Sequence, residues 1–152
     1  MPDRREIDAA DMPPEILPYL ALAEVREGGE RFRYRLAGTE LCRRFGADFT
    51  RKHSDEILSG DYLQFIDSLF QDVCTTQCPV YSESIFRWDV TGHLHTAQLQ
   101  LPLCRGNSRE VSMVLVGQVF PRVAGPWFEP LKLILEKDDA EHQRSIITSH
   151  LG

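Results

Sequence analysis

Hydrophobic and polar residues alternate near both ends of the chain, and this alternation predicts strands. At the N-terminal end, an apolar run over 19–26 and an alternating run over 31–37 flank Glu27-Gly28-Gly29-Glu30. Two such runs joined by a glycine turn predict a β-hairpin. Towards the C-terminal end, runs over 80–88, 93–104 and 110–120 are separated by turn sequences and predict three more strands.

Between these two groups the apolar residues recur at a helical period. The strongest helix is predicted over 62–74, where Asp61 and Gln64 resemble a capping box. A short helix is predicted after Gly38, with Thr39 as its N-cap and Gly46 at its C-terminal end. Ser54 is predicted to cap a further single turn. Two strands, grouped helices and three strands predict an α+β fold, a five-stranded antiparallel sheet whose helices pack on one face.

The alternation also divides the predicted strands into two faces. The last strand is apolar on both sides, which predicts cover on both faces of the sheet. The second cover is expected from the N-terminal arm, from residues 127–136 or from another subunit. The sets that share a face are Phe32, Tyr34 and Leu36 in one strand, and Ala97, Leu99, Leu101 and Leu103 against Thr96, Gln98 and Gln100 in another.

The two ends of the chain differ in composition from its middle. Residues 1–18 are acidic and rich in proline and predict an irregular N-terminal arm. Residues 19–123 form the predicted domain, and residues 124–152 are expected to form a C-terminal helix or tail.

Composition narrows the class of protein. The chain has 152 residues, 42% hydrophobic and 26% charged, as in an ordinary soluble domain. A net charge of -6 disfavours a nucleic-acid partner, and the arginines at 31, 33 and 35 fit the solvated face of a strand. No apolar stretch suits a membrane span or a secretory leader. We therefore expect a cytoplasmic protein with reduced cysteines.

The segment FRYRLAGTELCRRFG resembles a bacterial subfamily of small, often stand-alone PAS proteins. The resemblance extends from about residue 7 to 123, and Arg51 departs from it, because glycine is usual after the threonine. Within the motif, Gly38 permits a sharp turn from strand to helix. The matching positions are Phe32, Tyr34, Arg35, Leu36, Gly38, Thr39 and Gly46.

PAS domains bind small ligands or cofactors between the inner sheet face and the central helices, and some act only as dimerisation or signalling modules. The resemblance therefore implies a pocket for a small organic ligand of unknown identity, a homodimer and a separate signalling partner. A filled core is the alternative to a pocket. The implied lining comprises Cys42, Phe45, Phe49, Ile57, Ile66, Phe70, Leu99, Leu101, Met113 and Leu115, with Gln118 as a candidate ligand contact.

Candidate chemistry is sparse. Cys74 and Cys78 form one close pair, and His93 and His95 are a conceivable second pair, but buried thiols and surface histidines are the ordinary interpretation, so no metal site is predicted. The long helix lacks a histidine for haem, and the segment around Cys42 lacks the flanking residues of a flavin-binding cysteine. No nucleophile elbow or phosphate-binding loop is present.

A stand-alone sensory or ligand-binding module, signalling through protein contacts and without enzyme activity, is therefore the leading hypothesis. A ligand-free interaction module is the second. A small enzyme of the ketosteroid-isomerase type is the third, although that fold places its long helices first, whereas two strands come first here.

Overall fold

A computed structural model describes the backbone of residues 1–87, 93–120, 131–135 and 145–149, and the side chains of residues 1–84 and 95–120. Its helices are α1 (Thr39–Phe45), α2 (Ser54–Ile57) and α3 (Gly60–Thr76). Its strands are β1 (Leu20–Arg26), β2 (Arg31–Ala37), β3 (Val80–Arg87), β4 (His93–Leu103), β5 (Met113–Val119), β6 (Leu131–Leu135) and β7 (Ser145–Ser149). The turn predicted between β3 and β4 lies outside the described residues.

The strands form one antiparallel sheet in the order β2-β1-β5-β4-β3-β6-β7. The first five strands are those that the sequence predicts, with all three α-helices inserted between β2 and β3. The predicted α+β class and the five-stranded antiparallel sheet are therefore confirmed.

The C-terminal segment differs from its prediction as a helix or tail. β6 pairs with β3, Val80 opposite Ile134, and β7 pairs with β6. The segments LKLIL and SIITS are rich in residues that favour strands, and β3 offers them an otherwise unpaired edge. The prediction of a helix or tail is wrong for these two segments, because the pairing of β6 with β3 and with β7 is a tertiary contact that the local pattern does not show.

The predicted helices are present, but their N-terminal caps are shifted. α1 begins after Gly38 rather than with Thr39 as its cap, and α2 begins after His53, whose backbone N–H donates to the Glu56 carboxylate at 2.7 Å. Ser59, not Asp61, precedes α3. Gly46 ends α1 at φ 68°, as predicted, because glycine adopts this left-handed conformation without strain.

Side chains of α3 form the centre of the core. Leu69 and Val73 are fully buried against the sheet, and the rings of Phe32 and Phe70 stack with centroids 4.7 Å apart. The face of the sheet that the helices cover is called the inner face here, and the opposite one the outer face.

The N-terminal arm covers part of the outer face. It contains three short 3-10 turns and is tied to the end of β4, where the Arg4 N–H donates to the Cys104 carbonyl at 2.9 Å. Ile7 packs against a small outer cluster of Leu22, Leu103 and Met113. Of the three predicted sources of cover for the second face of the sheet, the N-terminal arm is therefore one that covers it.

A β-bulge in β2 places one side chain on the face of the sheet opposite to the predicted one. Tyr34 pairs with Ala23 and Leu36 with Leu22, so that Arg35 has no partner residue on β1. An extra residue reverses the alternation beyond it. Leu36 therefore lies on the outer face, 56% exposed, instead of sharing the inner face with Phe32 and Tyr34.

Gly38 connects β2 to α1 at a point where the backbone of the N-terminal arm approaches closely. A Cβ atom at this position would overlap the Pro18 carbonyl group. We expect Gly38→Ala to lower the free energy of unfolding by about 2 kcal/mol, because backbone cannot move aside cheaply. Urea denaturation measures this.

Thr39→Ala is the matched control for this substitution. Thr39 is exposed and its side chain makes no capping hydrogen bond among the described residues, so a change below about 0.5 kcal/mol is expected. Equal stability of the wild type and the Gly38→Ala variant would contradict the close approach.

Candidate functional site

A row of polar side chains lies on the inner face, where an apolar surface is the norm. These side chains come from β3, β4 and β5, are at most 6% exposed, and face the helices. We call them the polar ladder. Its members are Ser82, Ser84, Thr96, Gln98, Gln100 and Gln118.

Hydrogen bonds join parts of the polar ladder. The Gln118 Nε2 donates to the Tyr62 hydroxyl of α3 at 3.0 Å, which ties the sheet to the long helix. The Gln100 Nε2 donates to the Gln98 Oε1 at 3.3 Å. The hydroxyls of Ser84 and Thr96 lie 3.2 Å apart.

Two amide atoms of the polar ladder stay without a partner among the described residues. They are the Gln98 Nε2 and the Gln100 Oε1, both buried. Exchanging oxygen and nitrogen in both amides reverses their roles but still leaves one donor and one acceptor. Buried polar groups normally find partners, so these two atoms mark a position that suits water or a ligand.

A cavity of about 10 Å³ lies between the polar ladder and the helices. This is room for about one water molecule. Its polar lining is Gln98, Gln118 and Tyr62, and its apolar lining is Ala21, Tyr34, Leu41, Phe45, Phe49, Leu58, Ile66, Phe70 and Val116.

Aromatic rings close the cavity on the helix side. The Phe45 ring lies 5.3 Å from that of Phe49 and 5.7 Å from that of Tyr62, measured between centroids. Phe120, just after β5, adds an edge contact to Phe45. The layer beneath the helices is thus nearly filled with side chains.

Burial changes the acidity of the phenols at this site. Burial raises the pKa of Tyr62 above its ordinary value of 10.0, against the opposing effect of the hydrogen bond from Gln118. Burial also raises the pKa of Tyr34. Both phenols therefore stay neutral at physiological pH and act as hydrogen-bonding groups rather than as charges.

Five of the sequence-predicted pocket residues line this cavity: Phe45, Phe49, Ile66, Phe70 and Gln118. Two others lie nearby without lining it. Ile57 packs against the edge of the core, and the Cys42 Sγ lies 3.9 Å from the Ala37 carbonyl oxygen.

The other four predicted residues are on the wrong face for this pocket. Leu99 and Leu101 of β4 pair with Gly117 and Leu115 of β5, and all lie on the outer face with Met113. The prediction placed these leucines inward because apolar residues usually face the core. Here the N-terminal arm covers part of that apolar face, whereas the helices cover the polar one.

Tyr62 and Gln98 were missed as site residues. Tyr62 occurs within an apolar helical pattern, which hides its hydroxyl group. Gln98 and Gln100 alternate with leucines, and Thr96 precedes them at the same spacing. Three polar residues at a period of two, in a strand that must be buried, were the available signal.

The cysteines form no metal site in the described part of the chain. No three histidine, cysteine or acidic side chains cluster there. Burial raises the pKa of the Cys74 thiol to about 11, so it stays protonated. The side chain of His93 lies outside the described residues.

Most of the chain also matches the model of a known protein family. The family model described as PAS domain matches residues 1–117, which is most of the chain. The chain belongs to the PAS domain family. The sheet order and the helices between β2 and β3 agree with that assignment.

The PAS assignment identifies the chain as a sensory or interaction module of a kind that is typically non-enzymatic. No curated protein and no solved structure matches it. None of the helices in the described part of the chain has the length and apolar character of a membrane span.

The bond between Tyr62 and Gln118 yields a stability prediction. Tyr62→Phe leaves a buried amide without its acceptor, so the free energy of unfolding should fall by about 1–2 kcal/mol. Tyr34→Phe is the matched control, because the Tyr34 hydroxyl makes no hydrogen bond with described residues and its loss should cost less. Urea unfolding of both variants measures the difference, and a larger loss for Tyr34→Phe would contradict the assignment.

The raised phenol pKa values also predict a dependence on alkaline pH. The unfolded chain loses these protons near pH 10 while the folded chain keeps them, so stability falls as pH rises from about 10. The Tyr34→Phe/Tyr62→Phe double variant should lose less stability than the wild type between pH 8 and pH 11. Parallel losses in thermal melting would refute the burial of the phenols.

Proposed function

We propose that this PAS domain is a sensory module that takes up a small hydrogen-bonding ligand at the polar ladder and signals through a protein partner. The observation that carries the proposal is a pair of buried amide atoms, on Gln98 and Gln100, that have no hydrogen-bond partner among the described residues. A ligand that accepts from the Gln98 Nε2 and donates to the Gln100 Oε1 would satisfy both atoms. Of these two residues, Gln98 lines the cavity.

The size of the cavity limits how such a ligand enters. Because the cavity holds about one water molecule, a larger ligand requires α1 and the loop after it to move away from the sheet. The rings of Phe45 and Phe49 lie in these segments and separate the cavity from the surface. Ligand binding is therefore coupled to the packing of these two rings in the proposed mechanism.

Strands β4 and β5 connect the ligand site to the outer face. Leu99 follows Gln98 and Val119 follows Gln118, and in each strand successive side chains point to opposite faces. Leu99 is 37% exposed and Val119 is 46% exposed. We propose that a shift of these strands alters this apolar surface, where a second copy of the chain or another protein docks.

A ligand-free interaction module is the second candidate function. The nearly filled layer beneath the helices favours it, since a packed core needs no ligand to be stable. In that case the outer face alone would carry the function, and the polar ladder would be a structural feature. For both the sensory module and the interaction module we propose a cytoplasmic location.

Replacing the unpartnered amides separates the two candidates. In the Gln98→Leu/Gln100→Leu variant two apolar side chains replace a partly satisfied pair, so stability without ligand should stay equal or increase. A metabolite that raises the melting temperature of the wild type should then have no effect on this variant. Thermal melting against a metabolite panel measures both.

Gln64→Leu is the matched control, because it makes the same change at an exposed position of α3. It should keep the ligand response of the wild type. Native mass spectrometry of freshly purified protein provides a second readout. A wild type with no bound species and no melting shift across the panel would exclude the ligand-binding proposal and favour the interaction module.

A further inference from the structure

A groove rich in arginine lies on the outer face, across β1, β2 and β5. It has a volume of about 610 Å³ and is lined by six arginines, although the chain as a whole has a net charge of -6. The arginines come from four separate parts of the chain: the N-terminal arm, β2, the loop before α2 and the turn after β4. They are Arg4, Arg5, Arg33, Arg35, Arg51 and Arg105.

The carboxylates nearby neutralise only part of this charge. Asp3 pairs with Arg5 at 2.7 Å. The buried Glu24 lies 3.2 Å from Arg35 and 3.7 Å from Arg105.

The remaining arginines of the groove are Arg4, Arg33 and Arg51. None of them has a carboxylate within ion-pair distance among the described residues. The groove therefore presents uncompensated positive charge from three guanidinium groups.

The backbone at Arg51 accommodates an unfavourable conformation. Arg51 has φ 67°, in the left-handed region that favours glycine. Its carbonyl oxygen accepts a hydrogen bond from the Arg33 Nε at 3.2 Å, so that these two arginines are positioned together. Backbone conformations of this kind persist only where the surrounding structure holds them, as binding sites often do.

The floor of the groove is apolar. Leu22, Leu36 and Met113 line it; Leu22 and Met113 are buried, and Leu36 is 56% exposed because of the β-bulge. A smaller apolar groove of about 160 Å³ shares Leu22 and Leu36 with it and extends beneath the N-terminal arm. The combined surface offers guanidinium groups beside an apolar platform.

We infer that this groove binds an organic polyphosphate of the nucleoside triphosphate class. Guanidinium groups bind phosphate through paired, charge-assisted hydrogen bonds, and the apolar floor suits a base. The volume lies within the range of about 300–1,000 Å³ that is usual for small-ligand sites. The site lies on the opposite face of the sheet from the polar ladder and is independent of it.

Isothermal titration calorimetry of the full chain with ATP and with GTP tests this inference. Arg51→Gly and Arg33→Gln should each weaken triphosphate binding about tenfold, through loss of a charge-assisted hydrogen bond. Arg51→Gly is the sharper variant, since glycine tolerates the backbone conformation and the fold should stay at least as stable. Arg43→Gln is the control, because Arg43 lies on α1 outside the groove and pairs with Glu40 at 2.7 Å.

Further probes separate the parts of the ligand. Inorganic tripolyphosphate should bind more weakly than the nucleotides if the apolar floor contributes, and raising the salt concentration should weaken both. Equal binding by the wild type and Arg51→Gly, or an equal loss in Arg43→Gln, would overturn the inference. Binding to phosphatidylcholine vesicles that contain phosphatidylglycerol, without binding to ATP or GTP, would overturn the assignment to a soluble nucleotide.

Discussion

Three glutamine amides and a phenol share the layer between the sheet and the long helix, and buried polar groups of this kind need partners. The bond from Gln118 to Tyr62 joins β5 to α3. The pair formed by Gln98 and Gln100 is only half satisfied. The pairing register of β4 and β5 fixes these positions, because a shift of one residue would exchange the amides for leucines.

That register gives the sheet two chemically different faces. The inner face holds the amides and a cavity with room for about one water molecule. The outer face holds the N-terminal arm and the arginine groove. Glu24 helps to organise the outer face, since its buried carboxylate forms ion pairs with Arg26, Arg35 and Arg105. Both faces are formed by the same strands.

The sequence was sufficient to predict the order of the first five strands and of the helices between β2 and β3, because strand and helix periods differ clearly there. It did not predict β6 and β7. It was insufficient to predict which face of β4 the helices cover. Leu99 and Leu101 are more hydrophobic than Gln98 and Gln100, and alternation alone does not reveal that the helices pack on the polar side. The bulge at Arg35 is likewise invisible in the pattern, since it depends on pairing with β1. The arginine groove assembles residues from four segments, so no local motif predicts it.

Nuclear Overhauser contacts of the glutamine side-chain amides test the orientation of the sheet most directly. The Gln118 amide protons should show contacts to the Tyr62 ring, and the Gln98 amide protons should show contacts to the rings that line the cavity. Contacts from these amides to the N-terminal arm instead would place the polar ladder on the outer face. That result would contradict both the proposed ligand site and the arrangement of the two faces.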